Sequence, residues 1–205
     1  MAHVAIVGAG LMGTATAFPL SDNGHSIRLV GTHLDREIIQ ECKARSFHPR
    51  LKRNLPPGVR SFYVEEIEEA LQGVEIIVSG VNSYGVHWIG RTLSPHVRPG
   101  QTIIAITKGL EANPDGEPII LPDVLASELP EGLRRTIGMA AVGGPCIAGE
   151  LAGRRPSCVV FGSRDPQVAE MLAGLFRTPY YHVWTTTDLM GLEFCAALKN
   201  AYTLA

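Results

Sequence analysis

Six residues near the amino terminus constrain this chain more than any others: Gly8-Ala-Gly10-Leu-Met-Gly13. An apolar run at 3–7 precedes them and a helical pattern at 11–23 follows. In a strand–turn–helix setting the three glycines do different things. Gly8 permits a tight turn, Gly10 lets the backbone approach a pyrophosphate, and Gly13 lets the helix pack closely on the strand. The helix N-terminus then offers N–H groups and a positive dipole end to phosphates. The setting favours a dinucleotide-binding βαβ unit over a plain tight turn.

The rest of the chain keeps the same alternation. Strands are predicted at 3–7, 26–30, 74–79, 102–107, 136–142, 157–161 and 180–184. Helices are predicted at 11–23, 35–46, 65–72, 84–94, 119–128, 166–177 and from 188 onward. Most strand candidates are continuous apolar runs, as expected of strands covered on both faces. This order predicts an α/β fold, a Rossmann-like doubly wound, mostly parallel sheet. Residues 47–61, with three prolines and three arginines, read as an irregular excursion, and 113–118 reads as a loop. The last helix starts near Asp188, a candidate N-cap, and reaches Ala205 without a terminating glycine or proline, which suggests a chain cut within a larger protein.

Composition narrows the function classes. With 45% hydrophobic and 19% charged residues, the chain has the material for a packed core. A net charge of -2 gives no basic face for nucleic acid. No apolar run approaches the roughly 20 residues that cross a bilayer, and no signal peptide opens the chain, so a cytoplasmic location is expected. Cys42, Cys146, Cys158 and Cys195 form no CxxC pair and are expected to be reduced, mostly buried thiols. The seven histidines lack ligand spacing, so no metal site is predicted.

The acid expected about 20 residues beyond the glycines, where it would hold the ribose hydroxyls of NAD, is missing. Strand two ends Val30-Gly-Thr32-His33, and Asp35 comes late, followed by Arg36. Thr32, His33 and Arg36 could receive a 2′-phosphate. NAD and NADP both stay open, with a slight lean to NADP.

Two lysines stand out in a chain with fourteen arginines and four lysines. Lysine can exchange a proton where guanidinium cannot. Lys108 ends an apolar strand, at the edge where ligands bind in such folds. Lys199 lies on the last helix, with no carboxylate three or four residues away; Glu193 is six residues back and faces elsewhere. Lys199 either snorkels to water or faces a cleft. A third segment, Gly143-Gly144-Pro145-Cys146-Ile147-Ala148-Gly149-Glu150, follows another strand. Pro145 suits a first helical position there, which would aim a second helix N-terminus at the same edge.

Together, Gly8 to Gly13, Lys108-Gly-Leu-Glu111, Gly144-Pro145 through Ala148 and Glu150, and Glu193 with Ala197-Leu-Lys-Asn200 resemble the successive motifs of NAD(P)-dependent glycerol-3-phosphate dehydrogenase, prokaryotic type. The resemblance spans the whole chain. It implies an oxidoreductase that passes a hydride between NAD(P)H and dihydroxyacetone phosphate or sn-glycerol 3-phosphate, feeding glycerophospholipid synthesis. Lys199 would be the general acid/base, and Lys108 would contact substrate and stabilise charge. Gly144, Cys146 and Asn200 would line the substrate site. Gly8, Gly10, Leu11, Met12, Gly13, Thr32, Asn82, Lys108 and Ala148 would hold the cofactor. Cys146, Ile147 and Asn82 depart from residues common in the family. Residues 1–187 would form the cofactor domain and 188–205 the start of a helical, truncated substrate domain. This piece alone would turn over poorly. A small phosphorylated triose is the expected partner, and a homodimer stays open. A β-hydroxyacid dehydrogenase and a non-catalytic dinucleotide sensor are the alternatives.

Overall fold

In the computed structural model the backbone is described for residues 1–202 and side chains for residues 1–199. The elements run β1 (His3–Val7), α1 (Leu11–Asp22), β2 (Ser26–Val30), α2 (Arg36–Arg45), β3 (Phe47–His48), β4 (Arg53–Asn54), β5 (Arg60–Phe62), α3 (Ile67–Ala70), β6 (Ile76–Ser79), α4 (Val86–Leu93) and β7 (Thr102–Ala105). Then follow β8 (Leu110–Ala112), β9 (Pro118–Ile120), α5 (Leu121–Ser127), α6 (Glu131–Arg134), β10 (Gly138–Gly143), α7 (Ala148–Ala152), β11 (Ser157–Gly162), α8 (Pro166–Phe176), β12 (Tyr181–Thr186) and α9 (Leu189–Tyr202).

The main sheet has the order β12-β11-β10-β7-β6-β1-β2-β5. From β5 to β10 every neighbouring pair is parallel, while β11 runs antiparallel to β10. Its alternating side chains feed two cores. Val4 and Ile6 of β1 join Phe18 and Leu20 of α1 and Leu172 and Phe176 of α8 on one face. Ala5 and Val7 join Ile67, Val86, Ile89, Leu93 and Leu125 on the other. Each such fully buried aliphatic or aromatic side chain contributes roughly 1.5–3 kcal/mol. Burial on both faces explains the unbroken apolar strands. Among the described residues, no helix is long and apolar enough to cross a membrane.

The sequence reading needs several corrections. The stretch 47–61 is not wholly irregular: Phe47 and His48 pair with Asn54 and Arg53, and β5 joins the main sheet beside β2. Only Phe62 of β5 is buried, so no apolar run betrayed it. The loop 113–118 is mostly the turn of a hairpin, β8 with β9, in which Asn113 Oδ1 accepts the N–H groups of Asp115 and Glu117. Helix α5 therefore starts at Leu121, later than predicted. Residues 65–72 hold a 3-10 turn and only a four-residue α-helix. Pro145 is not a first helical residue, because α7 begins at Ala148. The cysteines are less buried than expected, with Cys158 and Cys195 exposed.

Candidate functional site

The parallel strands turn their carboxyl ends to one edge, and β1 sits where the chain order reverses, with β2 on one side and β6 on the other. Such a reversal opens a crevice for ligand. The glycine turn sits there. Gly8 has φ +116, and a Cβ on it would lie 2.6 Å from the backbone of Gly80. A Cβ on Gly13 would lie 2.3 Å from the Gly8 carbonyl oxygen. Gly10 is different, since a Cβ there meets only the Gly80 oxygen, at 3.9 Å. The turn is thus packed inward at Gly8 and Gly13 and open at Gly10. Gly80, following β6, completes the contact and had no sequence signal of its own.

Helix α1 has no side-chain cap and no acid in its first turn, and Leu11 is exposed beside it. An uncapped N-terminus of a twelve-residue helix beside an open glycine suits an anion, so the residues fit a dinucleotide pyrophosphate. Met12 is half-buried. Thr32 lies just beyond β2, its hydroxyl donating to Asp35 Oδ2 at 2.8 Å. Asp35 is buried, and the same oxygen accepts the N–H groups of Thr32 and Ala9. It therefore turns under the turn and away from a ribose. Arg36 pairs with Glu65 at 2.9 Å and lies over the Tyr63 ring. Asn82 caps a short turn after β6, accepting the Gly85 N–H at 3.1 Å.

Lys108 follows β7 on the same edge. The Thr107 hydroxyl donates to the Val81 carbonyl at 2.6 Å, tying the strand end to the segment after β6. The Lys108 ammonium crosses to the Gly144 carbonyl at 3.0 Å. Partial burial pushes its pKa below the usual lysine range, and the nearby Lys199 charge pushes the same way. Cys146 is half-buried beside it, and burial holds that thiol above its ordinary value. Glu111 of the same motif holds His87 at 3.0 Å, with Glu128 on the other ring nitrogen. Those two carboxylates raise the His87 pKa and fasten the hairpin to α4. Ala148 begins α7.

Helix α9 brings Lys199 to this edge. Asp188 caps it by accepting the Gly191 N–H at 2.8 Å. It seats on two strand glycines: a Cβ on Gly143 would lie 2.4 Å from Leu192, and one on Gly162 would lie 2.6 Å from the same side chain. Lys199 is exposed. Glu193, six residues back, does face away from it: it is fully buried. Among the described residues neither of its oxygens has a hydrogen-bond partner, and burial lifts its pKa to about 8 against the pull of Lys108. A carboxyl so placed is held neutral at pH 7. The Asn200 side chain lies outside the described residues. Lys108, Gly144, Cys146 and Lys199 thus share one end of the sheet, while the glycine turn and Thr32 occupy the neighbouring crevice. No cluster of metal-ligating side chains occurs among the described residues.

A doubly wound sheet with a glycine turn at its reversal and lysines at the same edge defines a dinucleotide-dependent oxidoreductase domain. Residues 3–169 match the family described as NAD-dependent glycerol-3-phosphate dehydrogenase N-terminus, and the chain belongs to that family. It is 38% identical over 98% of its length to the NADP(+)-dependent glycerol-3-phosphate dehydrogenase of Archaeoglobus fulgidus, covering 58% of that protein. It is 32% identical to the glycerol-3-phosphate dehydrogenase [NAD(P)+] of Shouchella clausii, over 100% of this chain and 58% of that one. The crystal structure of glycerol-3-phosphate dehydrogenase from Coxiella burnetii superposes with a TM-score of 0.84 at 26% identity, covering 97% of this chain and 58% of that one. The chain thus spans a little over half the length of these relatives.

Proposed function

We propose that this chain is the cofactor-holding part of a glycerol-3-phosphate dehydrogenase, interconverting dihydroxyacetone phosphate and sn-glycerol 3-phosphate. One observation carries the reading: within this family's fold, Lys108 reaches across to the Gly144 carbonyl at the edge that holds the glycine turn, with Lys199 of α9 near enough for its charge to act on it. When bound, the cofactor supplies or accepts the hydride at the substrate carbon.

The glycine turn with Leu11 and Met12 takes the pyrophosphate, Thr32 the ribose, and Asn82, Lys108 and Ala148 the far half. The inward turn of Asp35 removes the carboxylate that would repel a 2′-phosphate, so NADP is favoured over NAD. Lys199 gives a proton to the substrate oxygen during reduction and takes it back during oxidation. Lys108 stabilises negative charge developing on that oxygen. Paired ammonium groups attract a phosphorylated triose, and Gly144 and Cys146 line its site. Residues 1–187 form the cofactor domain, 188 onward begins a helical substrate domain, and the protein works in the cytoplasm.

The test is oxidation of NADPH and NADH by the intact protein with dihydroxyacetone phosphate, against unphosphorylated dihydroxyacetone. Turnover with the phosphate ester, and NADPH preferred, is the expected result. Cofactor binding without reduction of this ester would overturn the reading.

A further inference from the structure

The segment between α2 and β5 has no role so far, yet it sends one side chain beneath the glycine turn. His48 is 0% exposed. Its Nδ1 accepts the Leu51 N–H at 2.9 Å, so that nitrogen carries no proton. The proton is on Nε2, which donates to the Ala9 carbonyl at 2.8 Å. From the other direction, Asp35 Oδ2 accepts the Ala9 N–H at 3.2 Å. Two consecutive peptide units, Gly8–Ala9 and Ala9–Gly10, are therefore each held by a buried polar side chain.

Among the described residues no peptide bond is cis. In a trans unit the C=O and N–H point in opposite directions. By drawing the Ala9 carbonyl inward, His48 turns the Gly10 N–H outward. The Gly10 Cα beside that N–H is open, since an added Cβ would meet only the Gly80 oxygen, at 3.9 Å. Drawing the Ala9 N–H inward likewise turns the Gly8 carbonyl away from Asp35, toward Gly13 and Gly80, whose added Cβ atoms would lie 2.3 and 2.9 Å from it.

We propose that His48 and Asp35 are positioning residues for the dinucleotide, setting the glycine turn in its binding orientation before the ligand arrives. This rests on the dinucleotide-binding reading above. A turn already set loses less freedom on binding. It also gives the late acid after β2 a use: Asp35 anchors the turn where a ribose contact was expected.

Two substitutions separate positioning from mere packing. His48→Asn can still accept the Leu51 N–H but cannot reach Ala9. His48→Gln can reach Ala9 with its amide N–H, standing where Nε2 stood. NADPH and NADH dissociation constants of the intact protein are measured by fluorescence titration, beside urea midpoints. His48→Asn is expected to weaken binding about tenfold, the worth of one buried hydrogen bond, and His48→Gln to recover most of it at a similar midpoint. Should His48→Asn not fold, Asp35→Asn reads the same turn from the other side, with a rise of about threefold or more expected. Equal affinity for wild type, His48→Asn and Asp35→Asn would overturn the proposal. So would losses that follow the urea midpoint across all variants. A wild type that binds neither dinucleotide would overturn the functional reading itself, and this proposal with it.

Discussion

At Gly13 an added Cβ would lie 2.3 Å from a backbone oxygen, whereas at Lys108, further along the same sheet edge, the side chain is exposed and reaches across to a carbonyl. The two regions meet one ligand by different means. The glycine turn is shaped by backbone against backbone, with its polar anchors, Asp35 and His48, buried below. The lysine end is assembled from β7, the segment after β10, and α9, and there partial burial and the Lys199 charge both act on Lys108. Packing fixes the first, and electrostatics tunes the second. Damage to the turn should therefore cost binding and stability together. Damage at Lys199 should cost turnover alone.

The largest effect is expected at the turn. Gly13→Ala forces its Cβ into the Gly8 carbonyl, and no flexible side chain can yield. Overpacking of this kind costs about 1–3 kcal/mol, occasionally more. The urea midpoint should fall and NADPH affinity should be lost with it. Normal affinity in this variant would break the comparison.

A middle-sized effect is expected at the seat of α9. In Gly143→Ala and Gly162→Ala the added Cβ meets Leu192, a side chain that can move, so the helix shifts and the strands stay. kcat should fall about tenfold, the cost of displacing a reacting group by a fraction of an ångström, with cofactor affinity within about twofold of wild type. Pairing either change with Leu192→Ala relieves the clash and should restore part of the rate.

Glu193 gives the smallest effect on binding and turnover, because it acts through stability alone. Its folded pKa of about 8 lies above the ordinary 4.5. Such a carboxyl favours the fold fully below the unfolded pKa, and loses that contribution as pH rises through the folded one. Stability should decline from about pH 4.5 to about pH 8, by on the order of a few kcal/mol. Glu193→Gln removes the titration, so its denaturation midpoint should vary less across that window. An unchanged pH profile would mean that the carboxyl ionises without penalty.

The parallel sheet was legible because strands buried on both faces are unbroken apolar runs, as at β1 and β6. The glycine motif was legible because its backbone demands are local. Three things were not. The edge strand β5 buries only Phe62 and so left no pattern. His48 looked like one more polar residue in a proline-rich stretch, and its burial under Ala9 depends on a contact thirty-nine positions away. Asp35 looked like a misplaced ribose ligand, because position along the chain does not say which way a carboxylate turns. Gly80 and Glu193 teach the same lesson, since their meaning comes from neighbours on other strands and loops.

The account stands on the separation of binding from turnover, and Lys199→Ala tests it most directly. In the intact protein, kcat for reduction of dihydroxyacetone phosphate should fall by about 10²–10⁴, the range for loss of a general acid. The NADPH dissociation constant should stay within about twofold of wild type. Turnover at the wild-type rate, or loss of cofactor binding in step with turnover, would contradict the account.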